Sequence, residues 1–399
     1  MKKWLSCVLV LTMLLSLLSG CGAAPAQESS GTDAGIFYEL TGIPAGKTVM
    51  TVSGVNISAE EYLYWLAYLC TSMEYNITNY NAYYGSYANL INPEDSSVIW
   101  DGEFQDGMTL AEYARNEAES TIKFYTAIEL MAQKYNAGLD EEDKAAIVES
   151  LNGAIAELGG QEAFDAYLKK LGISQDTFQN LSASGYLFDN LLLLVLQEGT
   201  DLYLQPENYS KYATYADHIL LTTIDTESGK ALSPEQIQEK KALAEDLLAQ
   251  LRSADDPVAL FSQLADQYSE DPGREENPDG YVFTPNTMVK VFEDTANALE
   301  VGQISDIVES DYGYHIILRK DLQDALDADP EQKVSLAQTH LTTLLTILAG
   351  EATVEVMPEI QNLDVAAFYP AYSAKVKELT IANAEAMAAD AKAAQSTAE

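Results

Sequence analysis

Hydrophobic and polar positions alternate differently in three parts of the chain. Near the start of the patterned sequence, Val49 to Val52 alternates as a short strand does and Ser53-Gly54 turns it. Ser58 and Glu61 then stand at capping-box spacing before a helix. Apolar residues next recur at helical spacing over 110–133, 141–158, 162–171 and 175–196, each stretch bounded by Gly or Asn. Within the last, Leu191 to Leu196 is continuously apolar but far too short to cross a bilayer, so it reads as packed helix. The tyrosine-rich stretch from Tyr75 to Tyr87, set among Asn, Gly and Ser, reads as a connecting loop.

Between 214 and 321 the pattern becomes strand, two helices, strand, short helix and two strands. Ser233-Pro234-Glu235-Gln236 opens the first of these helices with an N-cap, Pro at N1 and Gln at N3. Pro257 opens the second, whose Leu260, Phe261, Leu264, Ala265 and Tyr268 share one face. Strands and helices in that order imply an α+β layer, with helices covering an antiparallel sheet. Helical spacing returns over 332–348, 354–370 is mixed, and an alanine-rich helix is expected from 371 to the end.

Length and charge narrow this picture. At 399 residues the chain is long for one core, and 47% hydrophobic content belongs to folded protein. A net charge of −40 repels phosphate backbones, which argues against nucleic acid as a partner. Cysteines occur at 7, 21 and 70. Lys2 and Lys3, the apolar stretch from Trp4 to Leu18 and the small residues after it read as a secretory signal over 1–20. That stretch ends in Leu18-Ser19-Gly20-Cys21, which resembles the lipobox of bacterial lipoproteins. The resemblance implies a mature N-terminus at Cys21 carrying lipid, followed by a small-residue tether over 21–46. Cys70 is then a buried helix residue with no disulfide partner.

The chemistry concentrates in the α+β segment. Two of the three histidines lie in strand-like apolar runs, Ala216-Asp217-His218-Ile219-Leu220-Leu221 and Tyr312-Gly313-Tyr314-His315-Ile316-Ile317-Leu318. Gln267-Tyr268-Ser269-Glu270-Asp271 and Met288-Val289-Lys290-Val291-Phe292-Glu293 come between them. Taken singly, each has a plain structural reading: His218 and His315 as half-buried core, Asp271 as a turn residue, Met288 and Phe292 as one apolar helix face. Taken in order, the set resembles the bacterial parvulin, or PpiC-type, prolyl isomerase domain over 212–322. The opening strand, turn and cap, together with Gly172-Ile173-Ser174-Gln175-Asp176-Thr177-Phe178, resemble the N-terminal segment shared by SurA and PrsA foldases.

That resemblance implies a four-stranded antiparallel sheet with covering helices, inserted between a helical chaperone segment over 47–211 and a C-terminal helical segment and tail over 323–399. It implies His218, Asp271 and His315 as catalytic residues, the histidines paired ring to ring on neighbouring strands. Met288, Phe292, Phe283 and Tyr312 would contact the substrate. Rotation about a prolyl amide breaks no bond, so the family needs no cofactor and no metal. The implied partners are unfolded or partly folded exported polypeptides, met at the outer face of the cytoplasmic membrane through the anchor on Cys21. Homodimerisation stays open. His340 falls outside the match and reads as a structural or surface histidine. One departure stands out: Gly280 replaces the leucine that helps wall the family's proline pocket, leaving that side open or filled by Tyr281. The rival functions are a holdase that binds chains without isomerising them and, more remotely, a lipoprotein that captures small solutes.

Overall fold

The computed structural model describes residues 35–225 and 228–397, so the secretory signal and Cys21 lie outside the described residues. The chain divides into two compact units. One takes in the residues up to Leu194 and again from Thr343, and the other is continuous from Val195 to Thr342. The second unit therefore extends beyond the expected bounds of 212 and 322. Tyr209 is buried in it, and the helix Leu322–Ala328, with Leu322 and Leu326 buried, packs on its central strand.

In the first unit the strand Thr48–Val52 buries Val49, Met50 and Val52, and left-handed Ser53 and Gly54 turn it into the strand Val55–Ser58. Val354–Val356 completes the sheet as an antiparallel neighbour on the other side of Thr48–Val52. Only half of the expected capping box forms. Ser58 Oγ accepts the Glu61 amide, while the amides of Ala59 and Glu60 donate to the carbonyls of Lys47 and Ala45. The helices Leu110–Lys134, Glu141–Glu157, Gln161–Leu171 and Gln175–Leu196 fall where the periodicity set them.

Three expectations are corrected here. Tyr75 to Tyr84 is not a loop but the last turns of the helix Ala59–Tyr84, held by buried Ile77 and closed by left-handed Gly85, whose amide bonds to Asn81. The tether expected over 21–46 does not hold for its described part, because Gly35–Thr41 is helical and Phe37 is buried in a stack on Tyr372, 5.4 Å between centroids. The C-terminal helix begins at Val365 rather than 371 and runs through Pro370. Asp364 caps it by accepting the Ala367 amide, and burial of Phe368, Tyr369 and Tyr372 around the proline offsets the lost backbone bond.

The second unit carries a four-stranded antiparallel sheet in the spatial order Tyr281–Phe283, Thr214–Thr222, Gly313–Arg319, Val308–Ser310. Its two central strands are buried along nearly their whole length. Alternation sends Ile219, Leu221, Tyr314, Ile316 and Leu318 against the helices Pro234–Ser253 and Pro257–Tyr268. Ala216 and Ile317 face the other way, against Phe292 and Ala296 of the helix Lys290–Ala298. His218 and His315 share the parity of this second face. No helix among the described residues is long and apolar enough to cross a membrane.

Candidate active site

Strand register brings the two histidines together. His218 lies opposite Ile317 and Leu220 opposite His315, so the imidazoles are diagonal neighbours on one face. Their Nδ1 atoms are 3.1 Å apart and their ring planes lie within 17° of each other.

The segment after the second helix delivers Asp271. The strand Tyr281–Phe283 pairs only with residues 214–216, which leaves the following edge of the central strand to residues 269–271. Ser269 Oγ accepts the Leu220 amide, the Glu270 amide donates to the Leu220 carbonyl, and Glu270 Oε2 accepts both donors of Thr222. Asp271 then lands with Oδ2 2.9 Å from His218 Nε2. It is not the exposed turn residue its sequence suggests, since its side chain is only 15% exposed. Behind it Arg274 bridges the buried Asp217 and the exposed Asp266, fixing the short helical turn Pro272–Glu275.

The hydrogen bonds determine the tautomers. Asp271 Oδ2 accepts from the Tyr281 hydroxyl at 2.5 Å and from His218 Nε2, while Oδ1 accepts the Gly273 amide at 3.2 Å. Burial opposes ionisation of Asp271, but these donors outweigh it and hold the carboxyl at about 2. As an ionised acceptor it takes the proton on His218 Nε2, and in the neutral form of that ring Nδ1 is the acceptor for His315 Nδ1–H. His315 Nε2 is then an acceptor too, and receives the Ser310 hydroxyl at 2.7 Å; Ser310 Oγ in turn accepts the Tyr312 amide at 3.1 Å. Burial, and then the neighbouring His218, lower His315 to about 4, which keeps it neutral near pH 7.

Above this chain of donors lies a cleft of about 440 Å³. His218, Asp271, His315, Met288, Phe292 and Tyr312 all border it. Phe292 stands edge-on to both imidazoles, with centroids 5.1 Å from His218 and 5.9 Å from His315. Phe283 is the exception among the expected contact residues. It packs behind Phe292, 5.8 Å between centroids, and does not border the cleft. Register explains the difference: Phe283 is paired with Thr214, at the far end of the strand from His218, whereas Tyr281 is paired with Ala216 and reaches the cleft.

Tyr281 thus stands on the side where Gly280 had suggested an opening. Gly280 itself cannot rebuild a wall. Its φ is +97°, and a Cβ there would come within 2.6 Å of the Ala216 carbonyl oxygen. Ser310 and the Tyr281 hydroxyl are the two groups that sequence reasoning did not find. Their partners, His315 and Asp271, are defined by strand register and loop path, which no local motif reports.

Residues 218–321 match the family model described as Rotamase, PPIC-type PPIASE domain. The foldase protein PrsA of Geobacillus sp. (strain WCH70) is 51% identical over 75 residues, which is 18% of this chain and 26% of that protein. The chain thus spans about a quarter of that relative's length. PrsA of Halalkalibacterium halodurans is 29% identical over 252 residues, 63% of this chain and 70% of the relative. The crystal structure of PrsA from Bacillus cereus aligns over 74% of this chain and 92% of its own, at 20% identity and a TM-score of 0.27. Residues 218–321 are therefore a PPIC-type, parvulin-class domain within a chain that resembles the PrsA foldases.

Proposed function

We propose that the protein is a peptidyl-prolyl cis-trans isomerase and chaperone for exported polypeptides, attached by lipid on Cys21 to the outer face of the cytoplasmic membrane. The observation that carries the reading is the fixed chain from Ser310 through His315 and His218 to Asp271, lying beneath an apolar cleft.

Rotation about an X-Pro amide faces a barrier of about 18–20 kcal/mol because conjugation must be broken. In the twisted amide the oxygen loses partial negative charge, so a dry apolar cavity favours that state over the planar one. Met288 and Phe292 would seat the prolyl ring, with Tyr312 at the rim. The hydrogen-bonded imidazoles, with His315 neutral, would give the twisting bond a polar floor that does not reorganise. His218, Asp271 and His315 act through orientation, and no bond to the substrate forms.

The other unit would hold client segments. Tyr75, Tyr80, Tyr83 and Tyr84 are exposed at one helix end, an aromatic surface suited to adaptable contacts. A net charge of −40 would keep the protein soluble beside such clients and favour cationic ones. Purified protein should accelerate cis-trans exchange in X-Pro peptides. Binding without acceleration would contradict the isomerase assignment. Fatty-acid label should enter the wild type and be absent from Cys21→Ser; equal labelling would remove the anchor.

A further inference from the structure

Tyr281 is not among the residues to which the isomerase reading assigns a part, yet its hydroxyl sits on the atom that orders the imidazole pair. Asp271 Oδ2 receives both His218 Nε2–H and the Tyr281 hydroxyl. We propose that Tyr281 is a positioning residue of this site: its hydroxyl holds the Asp271 carboxylate in the rotamer that fixes the His218 tautomer, and its ring closes the side of the cleft next to His218. The activity part of this inference rests on the isomerase reading; the tautomer part does not.

Three features support the assignment. The Tyr281 ring stands edge-on to His218, with centroids 5.8 Å apart and planes at 86°, so ring and hydroxyl restrain both partners of the His218–Asp271 bond. Without the hydroxyl, Oδ2 would keep a single side-chain donor and the carboxylate would be freer to rotate, taking the His218 ring with it. Space for the hydroxyl is made by Gly273, where a Cβ would lie 2.3 Å from Tyr281 Oη. Gly273 also donates its amide to Asp271 Oδ1, so the missing side chain and the backbone donor serve the same carboxylate. The next atom such a Cβ would meet is Tyr281 Cζ at 3.4 Å, which makes the collision specific to the hydroxyl.

A double-mutant cycle on the full chain tests this, using Tyr281→Phe, Gly273→Ala and the pair. Tyr281→Phe keeps the ring and Gly273→Ala requires no unusual backbone, so near-wild-type circular dichroism is expected of all three. Each single variant should lower kcat for X-Pro exchange roughly tenfold with KM changed less than about twofold. The 15N resonances of the His218 imidazole should move from one fixed tautomer towards an average. On the Tyr281→Phe background, Gly273→Ala should cost less than about a further twofold, because the atom its Cβ would strike is gone. Unchanged His218 resonances and unchanged kcat in Tyr281→Phe would overturn the proposal, as would full multiplicativity of the two substitutions. If wild type shows no catalysis but the resonances still respond, the isomerase reading fails and the positioning role stands.

Discussion

Phe292→Ala is expected to lower kcat/KM for X-Pro exchange by roughly a hundredfold, more than any single polar substitution in the cleft. A prolyl ring seated on Phe292 removes on the order of 100 Å² of apolar surface from water, about 2.5 kcal/mol, and the loss is felt as weaker stabilisation of the twisted amide. Removal of the ring also admits water to both imidazoles, which Phe292 covers edge-on. Because Phe292 is buried and packs on Phe283, the truncation should in addition destabilise the unit by about 3–5 kcal/mol. Activity is therefore to be compared at a temperature where denaturant titration shows both proteins folded. A folded Phe292→Ala protein with wild-type kcat/KM would contradict the desolvation account.

Acid should disable the site through His315. Its folded value of about 4 lies below the ordinary histidine value of about 6.5, so the unfolded chain binds a proton that the folded one refuses. The resulting stability is fully present above pH 6.5 and is lost as pH falls through about 4, an effect on the order of 3 kcal/mol. Asp271 extends the loss downward. Its carboxyl, held at about 2 against the usual value of about 3.9, contributes stability above 3.9 that disappears as pH falls through 2. Exchange activity should accordingly be flat from pH 8 to about 6.5 and fall to half near pH 4, while circular dichroism still reports a folded sheet. A midpoint near 6.5 in folded protein would show that His315 is not held neutral by its surroundings.

The strand-like runs that carry His218 and His315 were legible in the sequence as apolar segments, and both are strands in the fold. Spacing alone reads His218, His315, Met288 and Phe292 as core, and it is the ordered resemblance that pairs the histidines and sets the pocket. Met288 in fact precedes the helix Lys290–Ala298 and borders the cleft from the loop rather than from a helix face shared with Phe292. The groups recruited through register were not legible. Ser310, Tyr281 and the backbone path of residues 269–271 act on partners that only the folded sheet brings near. Phe283 falls behind Phe292 rather than in the cleft because of a pairing with Thr214 that spacing could not report. The same limit operates in the first unit. Phe37 looked like tether because its stacking partner Tyr372 lies at the far end of the chain. Tyr75 to Tyr84 looked like loop because Asn and Gly nearby outweighed the helical placement of Ile77.

Two-dimensional exchange NMR of an X-Pro peptide with the purified chain bears most directly on the central claim, that rotation occurs over the His218–His315 pair. Uncatalysed exchange takes tens to hundreds of seconds, so catalysis is visible as cross-peaks within sub-second mixing times. Wild type should give those cross-peaks, and a folded Asp271→Ala, Met288→Ala double variant should give almost none. Cross-peaks of equal intensity from the double variant would place the reaction elsewhere in the protein, and their absence from wild type would remove the isomerase assignment altogether.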